Sequence, residues 1–159
     1  STNDANRIGK QIDKYAKTQK GVSIVELIVY IGLLSIFMLV LVDVFVTILN
    51  SKLESESTST LNQDARYIYS RIAYDVANAT SFTVPNPTKL MVGGDTYTLV
   101  NSNLMLNSTK LNGIDTKINS IFFTKIGNTV KTTFTIESLI NLQSGVQTRT
   151  INTTFGTRP

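Results

Sequence analysis

The chain has 159 residues, of which 42% are hydrophobic and 16% charged, and its formal net charge is +4. It contains no cysteine and no histidine, which excludes disulfide bonds, thiolate metal sites and every mechanism that needs an imidazole. The length suffices for one domain and is short for two. We therefore predict that the protein is not an enzyme and needs no cofactor, with carboxylate-only chemistry left open.

The positive charge is concentrated near the N-terminus. Residues 1–21 carry five basic and two acidic side chains, whereas residues 22–159 carry ten basic and nine acidic ones. Basic flanks of apolar segments stay on the cytoplasmic side during membrane insertion. Because the rest of the chain is nearly neutral, we do not expect nucleic acid as a partner.

Residues 1–20 are polar and basic and have no apolar run of their own. A secretory signal peptide places its apolar core before the cleavage site. Here the order is reversed, because the basic run and Gly21 precede the apolar stretch. Residues 1–21 are therefore expected to form a leader on the cytoplasmic side of a membrane.

Residues 22–49 form an apolar stretch, whose positions 27–42 read LIVYIGLLSIFMLVLV. A helix needs about 20 apolar residues to cross a bilayer, so this stretch is long enough for a membrane span or the core of a filament. The alternative is a buried core helix of a soluble protein. The rest of the chain is small for covering so long an apolar surface, and this favours the membrane.

The helical pattern continues through residues 50–79 with a different character. Apolar residues recur at steps of four and three, the spacing of one helical face, and they are Leu61, Ala65, Ile68, Ile72, Val76 and Ala79. Residues 22–79 contain no proline, so we predict one helix of about 57 residues and ~85 Å. A break within the Ser- and Thr-rich residues 55–60 is the alternative.

The sequence pattern of residues 80–159 predicts a head domain built from β-strands. Pro85 and Pro87 end any helix, and the runs KLMV and DTYTLV on either side of a Gly-Gly pair predict a hairpin. Another short strand is predicted at NLML. A second hairpin is predicted for SIFFTK and TVKTTFTIESLI on either side of Gly-Asn, and an edge strand is predicted in VQTRTINTTF. The predicted fold is α+β: a long N-terminal helix packed on about five or six antiparallel strands.

The sequence KGVSIVEL at residues 20–27 joins the leader to the helix. It resembles the processing site of type IV prepilins and of pseudopilins, in which a basic leader ends in Gly and the mature chain carries Glu at its fifth position. With Val22 as the first mature residue, Glu26 is the fifth. The resemblance covers residues 1–49 by this motif and residues 50–159 by architecture only.

The resemblance implies that a membrane prepilin peptidase cuts between Gly21 and Val22 and methylates the new amine of Val22. It also implies that Glu26 neutralises the terminal amine of a neighbouring subunit during assembly. An ionisable side chain within a membrane helix costs roughly 2.5–3.5 kcal/mol and marks a functional position by default. The alternative is that Glu26 sits among lipid headgroups and interacts with water or lipid.

Two positions depart from the commonest pilin pattern. Val22 stands where Phe or Met is the usual first mature residue. Asp43 is the twenty-second mature residue, where many major pilins carry Pro. We favour solvation of Asp43 at the outer membrane boundary over a second assembly role, a salt bridge to Lys52 or another partner residue in a filament.

These observations together predict a type IV pilus or pseudopilus subunit that serves adhesion, motility, DNA uptake or secretion. The lack of a cysteine pair to close a C-terminal loop favours a minor over a major subunit. The expected location is the cytoplasmic membrane with the head outside, then a filament. Expected partners are other pilin subunits, the prepilin peptidase and the inner-membrane assembly platform.

Two other function classes stay open beside the filament subunit. One is a single-pass membrane-anchored binding module that forms no filament, and the other is a membrane-anchored enzyme. No metal site is expected, because the acidic residues of the head lack the spacing of a metal-binding loop. These residues are Asp64, Asp75, Asp95 and Asp115.

Overall fold

The computed structural model describes residues 2–16 and 21–158. The chain divides into two compact units, Ser1–Val46 and Thr47–Pro159. Within these described residues, helices α1 (Thr2–Ala16) and α2 (Ile24–Asn78) precede eight β-strands, and α2 contributes to both units. The fold is α+β, with a long helix packed against antiparallel sheets, as predicted.

Helix α1 occupies most of the predicted leader, for which the sequence analysis gave no secondary structure. Ile8, Ile12 and Tyr15 recur at steps of four and three, the spacing of one helical face. Three large apolar residues in fifteen are a weak signal, and the surrounding polar residues obscure it. Every side chain of α1 is exposed, and Lys17 and Lys20 of the predicted leader lie outside the described residues.

Helix α2 is one continuous helix of 55 residues. The alternative of a break at residues 55–60 is wrong, because α2 runs through this stretch without interruption. Thr60 donates its hydroxyl hydrogen to the carbonyl oxygen of Glu56 at 2.9 Å, and Ser57 is buried. Packing against the head thus overrides the weak helix propensity of the Ser and Thr residues.

The first sheet has five antiparallel strands in chain order. They are β1 (Phe82–Asn86), β2 (Lys89–Val92), β3 (Asp95–Val100), β4 (Asn103–Leu106) and β5 (Thr109–Lys110). The turn between β2 and β3 begins at Gly93 with φ of 59°, a conformation that favours glycine. The predicted glycine hairpin is therefore confirmed.

The second sheet has three antiparallel strands, β6 (Thr116–Ile126), β7 (Thr129–Ser138) and β8 (Thr148–Gly156), in that order. The predicted hairpin at Gly127 and the edge position of the last strand are confirmed. The expected five or six strands were too few, because β1 and β5 were missed. β1 contains Pro85, which is tolerated at a sheet edge, and β5 has only two residues.

The core of the head forms where α2 meets both sheets. The predicted stripe of α2 is buried: Leu61 is 4% exposed, and Ala65, Ile68, Ile72 and Val76 are 0% exposed. It belongs to one cluster with buried side chains of both sheets, among them Tyr97, Phe123 and Phe134. Ala79, the last predicted member of the stripe, is partly buried against this cluster.

Truncation of the buried stripe tests this packing. We expect Ile72→Ala to lower the free energy of unfolding of the head by about 2–5 kcal/mol, since it leaves a cavity in the core. Urea unfolding of the full chain in detergent measures this loss. Tyr74→Ala on the same helix is the control, because Tyr74 is 64% exposed. Equal losses in the two variants would contradict the assigned helix face.

Candidate functional site

The Gly21–Val22 junction lies directly before α2. Residues 21–23 belong to no helix or strand and are exposed, and the amide of Leu27 donates to the carbonyl oxygen of Ser23 at 3.0 Å to close the first turn. A Cβ atom at Gly21 would meet no atom within 4 Å. The described chain therefore has no packing requirement for glycine here, and the peptide bond is accessible.

Glu26 lies in the first turn of α2, where the positive end of the helix dipole favours a carboxylate. The hydroxyl of Tyr30, one turn further on, donates to Oε1 of Glu26 at 2.8 Å. A carboxylate has about four acceptor positions, so Glu26 retains capacity for another donor. Sequence reasoning missed Tyr30, although its i,i+4 spacing from Glu26 is the signal for such a contact.

The apolar half of α2 has no cover within the described chain. Residues 22–49 are exposed throughout, and an 18-residue window of α2 has a mean hydropathy of 2.7 with none of it buried. A core helix of a soluble protein would be covered by its own fold, so that alternative is wrong for the residues described. By length and composition α2 is able to cross a membrane.

The structure does not bring Asp43 together with Glu26. Both lie on α2 and are exposed, and seventeen residues of helix separate them by about 25 Å. They stand toward opposite ends of the apolar half of α2. The helix continues unbroken through Asp43 to Lys52 and beyond.

Hydrogen bonds to Asp64 join α2 to the loop after β5 and to the start of β6. Oδ2 of Asp64 accepts a hydrogen bond from the amide of Gly113 at 2.8 Å and from the hydroxyl of Thr116 at 2.5 Å. A Cβ atom at Gly113 would approach Oδ2 of Asp64 to 2.9 Å. A side chain at position 113 would therefore require the Asp64 carboxylate to shift.

A further set of polar contacts, centred on Asp75, joins α2 to β3. The hydroxyl of buried Tyr97 donates to the Asp75 carboxylate, and Nε of Arg71 lies 3.4 Å from Oδ2 of Asp75. Burial, together with the hydrogen bond to Asp75, raises the pKa of the Tyr97 hydroxyl far above its usual range. The nearby Asp75 carboxylate raises the pKa of Arg71. The Tyr97–Asp75 hydrogen bond joins the helix to the sheet, whereas the Arg71–Asp75 ion pair lies within α2.

Neither polar group has the form of a metal site. Among residues 2–16 and 21–158, no cluster of three or more Asp or Glu side chains is arranged to hold a metal ion. The carboxylates of Asp64 and Asp75 are occupied by donors of the head itself. The exposed junction and the first turn of α2 are therefore the candidate functional site.

Comparison of the chain with protein-family models, with curated proteins and with solved structures found no match. The similarity of the junction to a prepilin processing site therefore stays a prediction. It depends on Gly21, Val22 and Glu26, and on the apolar helix that follows them.

The Tyr97–Asp75 contact predicts a dependence of stability on alkaline pH. An exposed tyrosine has a pKa near 10, and the folded-state pKa of Tyr97 is higher. The unfolded chain therefore loses this proton first as the pH rises. The contribution of Tyr97 to stability is complete below about pH 10, and it is lost as the pH rises from there toward the folded-state pKa.

We expect Tyr97→Phe to reduce the loss of stability that occurs as the pH rises above about 10. At neutral pH the variant should be less stable by about 1–3 kcal/mol, because a hydrogen bond to a charged group is lost. Urea unfolding at a series of pH values measures both effects. Tyr67→Phe, which changes an exposed tyrosine on α2, is the control. A pH profile of Tyr97→Phe that is parallel to that of the unsubstituted chain would contradict the prediction.

Proposed function

We propose that this protein is a subunit of a type IV pilus or pseudopilus, and a minor subunit rather than a major one. One observation carries the proposal: the accessible Gly21–Val22 bond immediately precedes an exposed apolar helix with Glu26 in its first turn. A membrane anchor alone requires the apolar helix but neither the glycine nor the glutamate. The coincidence of all three at this spacing favours a processed filament subunit.

The first step of the proposed mechanism is cleavage by a prepilin peptidase. Hydrolysis of the Gly21–Val22 bond would leave a carboxylate on Gly21 and a new amine on Val22, which is then methylated. This amine would lie two residues before the start of α2 at Ile24. A cation at the positive end of a helix dipole is unfavourable, so the mature N-terminus needs an anionic partner.

Glu26 of a neighbouring subunit is the proposed partner of that amine. Pairing the two charges would remove two unpaired ions from apolar surroundings at once. The hydrogen bond from Tyr30 restricts the rotamers of Glu26 before the partner arrives, which lowers the entropy that is lost on pairing. The apolar halves of α2 would then pack against one another, with the inner-membrane platform drawing each subunit from the bilayer.

The unbroken helix at Asp43 supports a minor or otherwise unusual subunit. Many major pilins carry Pro at the corresponding mature position, and a proline loosens a helix by removing a backbone hydrogen bond. Here α2 has neither a proline nor an interruption at Asp43. An aspartate near the outer membrane boundary is solvated at small cost in the proposed precursor, and a salt bridge within a filament is its second proposed role.

The N-terminus of the mature protein distinguishes a pilin from a non-filamentous anchored binding module. We expect mass spectrometry of the native protein to find N-methylated Val22 as the first residue. Gly21→Ala should leave most of the leader attached, because an added side chain obstructs a site that accepts glycine. Gly32→Ala, a glycine with equally open surroundings in the chain, is the control. An intact leader on the unsubstituted protein would favour the binding module.

Filament incorporation tests the role of Glu26. We expect Glu26→Ala to insert in the membrane normally but to enter sheared filaments at least about tenfold less than the unsubstituted chain, which corresponds to about 1.4 kcal/mol. The reason is that the amine of the adjacent subunit then has no counter-ion. Glu54→Ala, which removes an exposed carboxylate from the same helix beyond the apolar half, is the control. Normal incorporation of Glu26→Ala would refute the proposed pairing.

A further inference from the structure

Helix α1 presents two chemically different faces. At about 100° per residue, Ile8, Ile12 and Tyr15 fall within a sector of about 60°. Arg7, Lys10 and Lys14 fall within another sector of similar width, about 140° from the centre of the first. The exposed fractions of Ile8, Ile12 and Tyr15 are 59%, 63% and 77%.

From this arrangement we infer that α1 is an interfacial helix that lies on the cytoplasmic surface of the membrane. Its apolar sector would enter the boundary between headgroups and acyl chains, and its basic sector would face the anionic headgroups. A short helix with a strong separation of apolar and basic faces and a low overall hydrophobicity is the type that binds in this way. The bound partner is thus a lipid surface that carries negative charge.

The charges of the leader fit such a surface. Residues 1–21 carry a net charge of +3, from five basic and two acidic residues. Asp4 lies in the first turn of α1, where the helix dipole accommodates a carboxylate. Each Lys or Arg near an anionic leaflet strengthens binding about fivefold. The basic residues therefore raise the affinity of α1 for an anionic surface.

Because α1 is connected to α2, a weak intrinsic affinity of α1 for lipid is enough to keep it on the membrane. Seven residues, 17–23, separate the end of α1 at Ala16 from the start of α2 at Ile24. Fully extended, this connection spans at most about 28 Å, so a membrane-inserted α2 keeps α1 close to the bilayer surface. Tethering of this kind converts binding to an intramolecular step at a high effective concentration.

A surface-bound α1 would also determine where the Gly21–Val22 bond lies. With α1 on the membrane and α2 across it, the exposed residues 21–23 would be held at the cytoplasmic interface. There the bond would be presented to any membrane-embedded peptidase. The inference rests on the proposed insertion of α2 with its N-terminal end on the cytoplasmic side, and it is independent of cleavage and of filament assembly.

The absence of cysteine allows single-cysteine labelling of the full chain with its leader attached. Ile8→Cys and Ile12→Cys report on the apolar sector, and Asn6→Cys and Lys10→Cys report on the polar face. Each variant carries an environment-sensitive fluorophore and is reconstituted in phosphatidylcholine vesicles with about one third phosphatidylglycerol, an anionic lipid. Brominated acyl chains quench only a fluorophore that enters the membrane boundary.

We expect positions 8 and 12 to be quenched at least about threefold more than positions 6 and 10, in the periodicity of a helix. Equal quenching at all four positions, or none at any, would overturn the inference. So would a blue-shifted emission at positions 8 and 12 without lipid quenching, because it would indicate a protein groove instead of lipid.

Neutralisation of the basic sector tests the charge requirement. The test variant combines Arg7→Gln, Lys10→Gln and Lys14→Gln with a fluorophore at position 12. On anionic vesicles, the quenching of this fluorophore should fall by more than half. Glutamine preserves helix propensity, so a loss of binding is separable from a loss of the helix, which circular dichroism checks. Lys110→Gln, Lys131→Gln and Arg158→Gln, exposed on the head, are the matched control. If the α1 variant is quenched as strongly as the unsubstituted chain, anionic lipid is not needed for binding and this part of the inference is wrong.

Discussion

Helix α2 must satisfy two different surroundings along one continuous backbone, and the rest of the structure depends on this constraint. Its first half exposes apolar side chains on every side, whereas its second half buries one stripe and exposes the remainder. A helix meets this requirement because its backbone hydrogen bonds are satisfied internally, in lipid as well as in water. The side chains alone then decide which medium each half requires.

The head follows from the second half of α2. Two antiparallel sheets cover the stripe that contains Ile68 and Ile72, and hydrophobic burial supplies the main driving force. Burial is not directional, so it does not by itself fix the rotation of the helix on the sheets. The hydrogen bonds of Asp64 to the loop after β5 and of Tyr97 to Asp75 supply that direction. Each joins groups that are far apart in the chain.

The chemistry proposed for the protein is concentrated where the apolar half begins. Glu26, its donor Tyr30 and the accessible Gly21–Val22 bond lie within ten residues. The proposed partners of this segment are a peptidase, a lipid surface and the helices of other subunits. Each of them would contact an exposed segment and would need no enclosed pocket. Under the proposed function, the head would stay folded while α2 moves from the bilayer into a filament.

The sequence by itself determined the features that local chemistry controls. The apolar span, the stripe of α2 and the hairpin turns at Gly93 and Gly127 follow from composition, periodicity and backbone conformation within short windows. Glu26 was singled out by the resemblance of residues 20–27 to a prepilin processing site, and its role stays a prediction. Helix α1 and strand β1 were not predicted from the sequence. The apolar periodicity of α1 is weak, and the proline in β1 argues against a strand.

Only the tertiary structure decided how the strands divide into two sheets and which residues meet across them. The partners of Asp64 lie 49 and 52 residues away, and the partner of Asp75 lies 22 residues away. No local pattern specifies such pairs, since they arise when packing brings distant segments together. The continuity of α2 through residues 55–60 has the same origin, because burial against the head outweighed the local preference of its Ser and Thr residues.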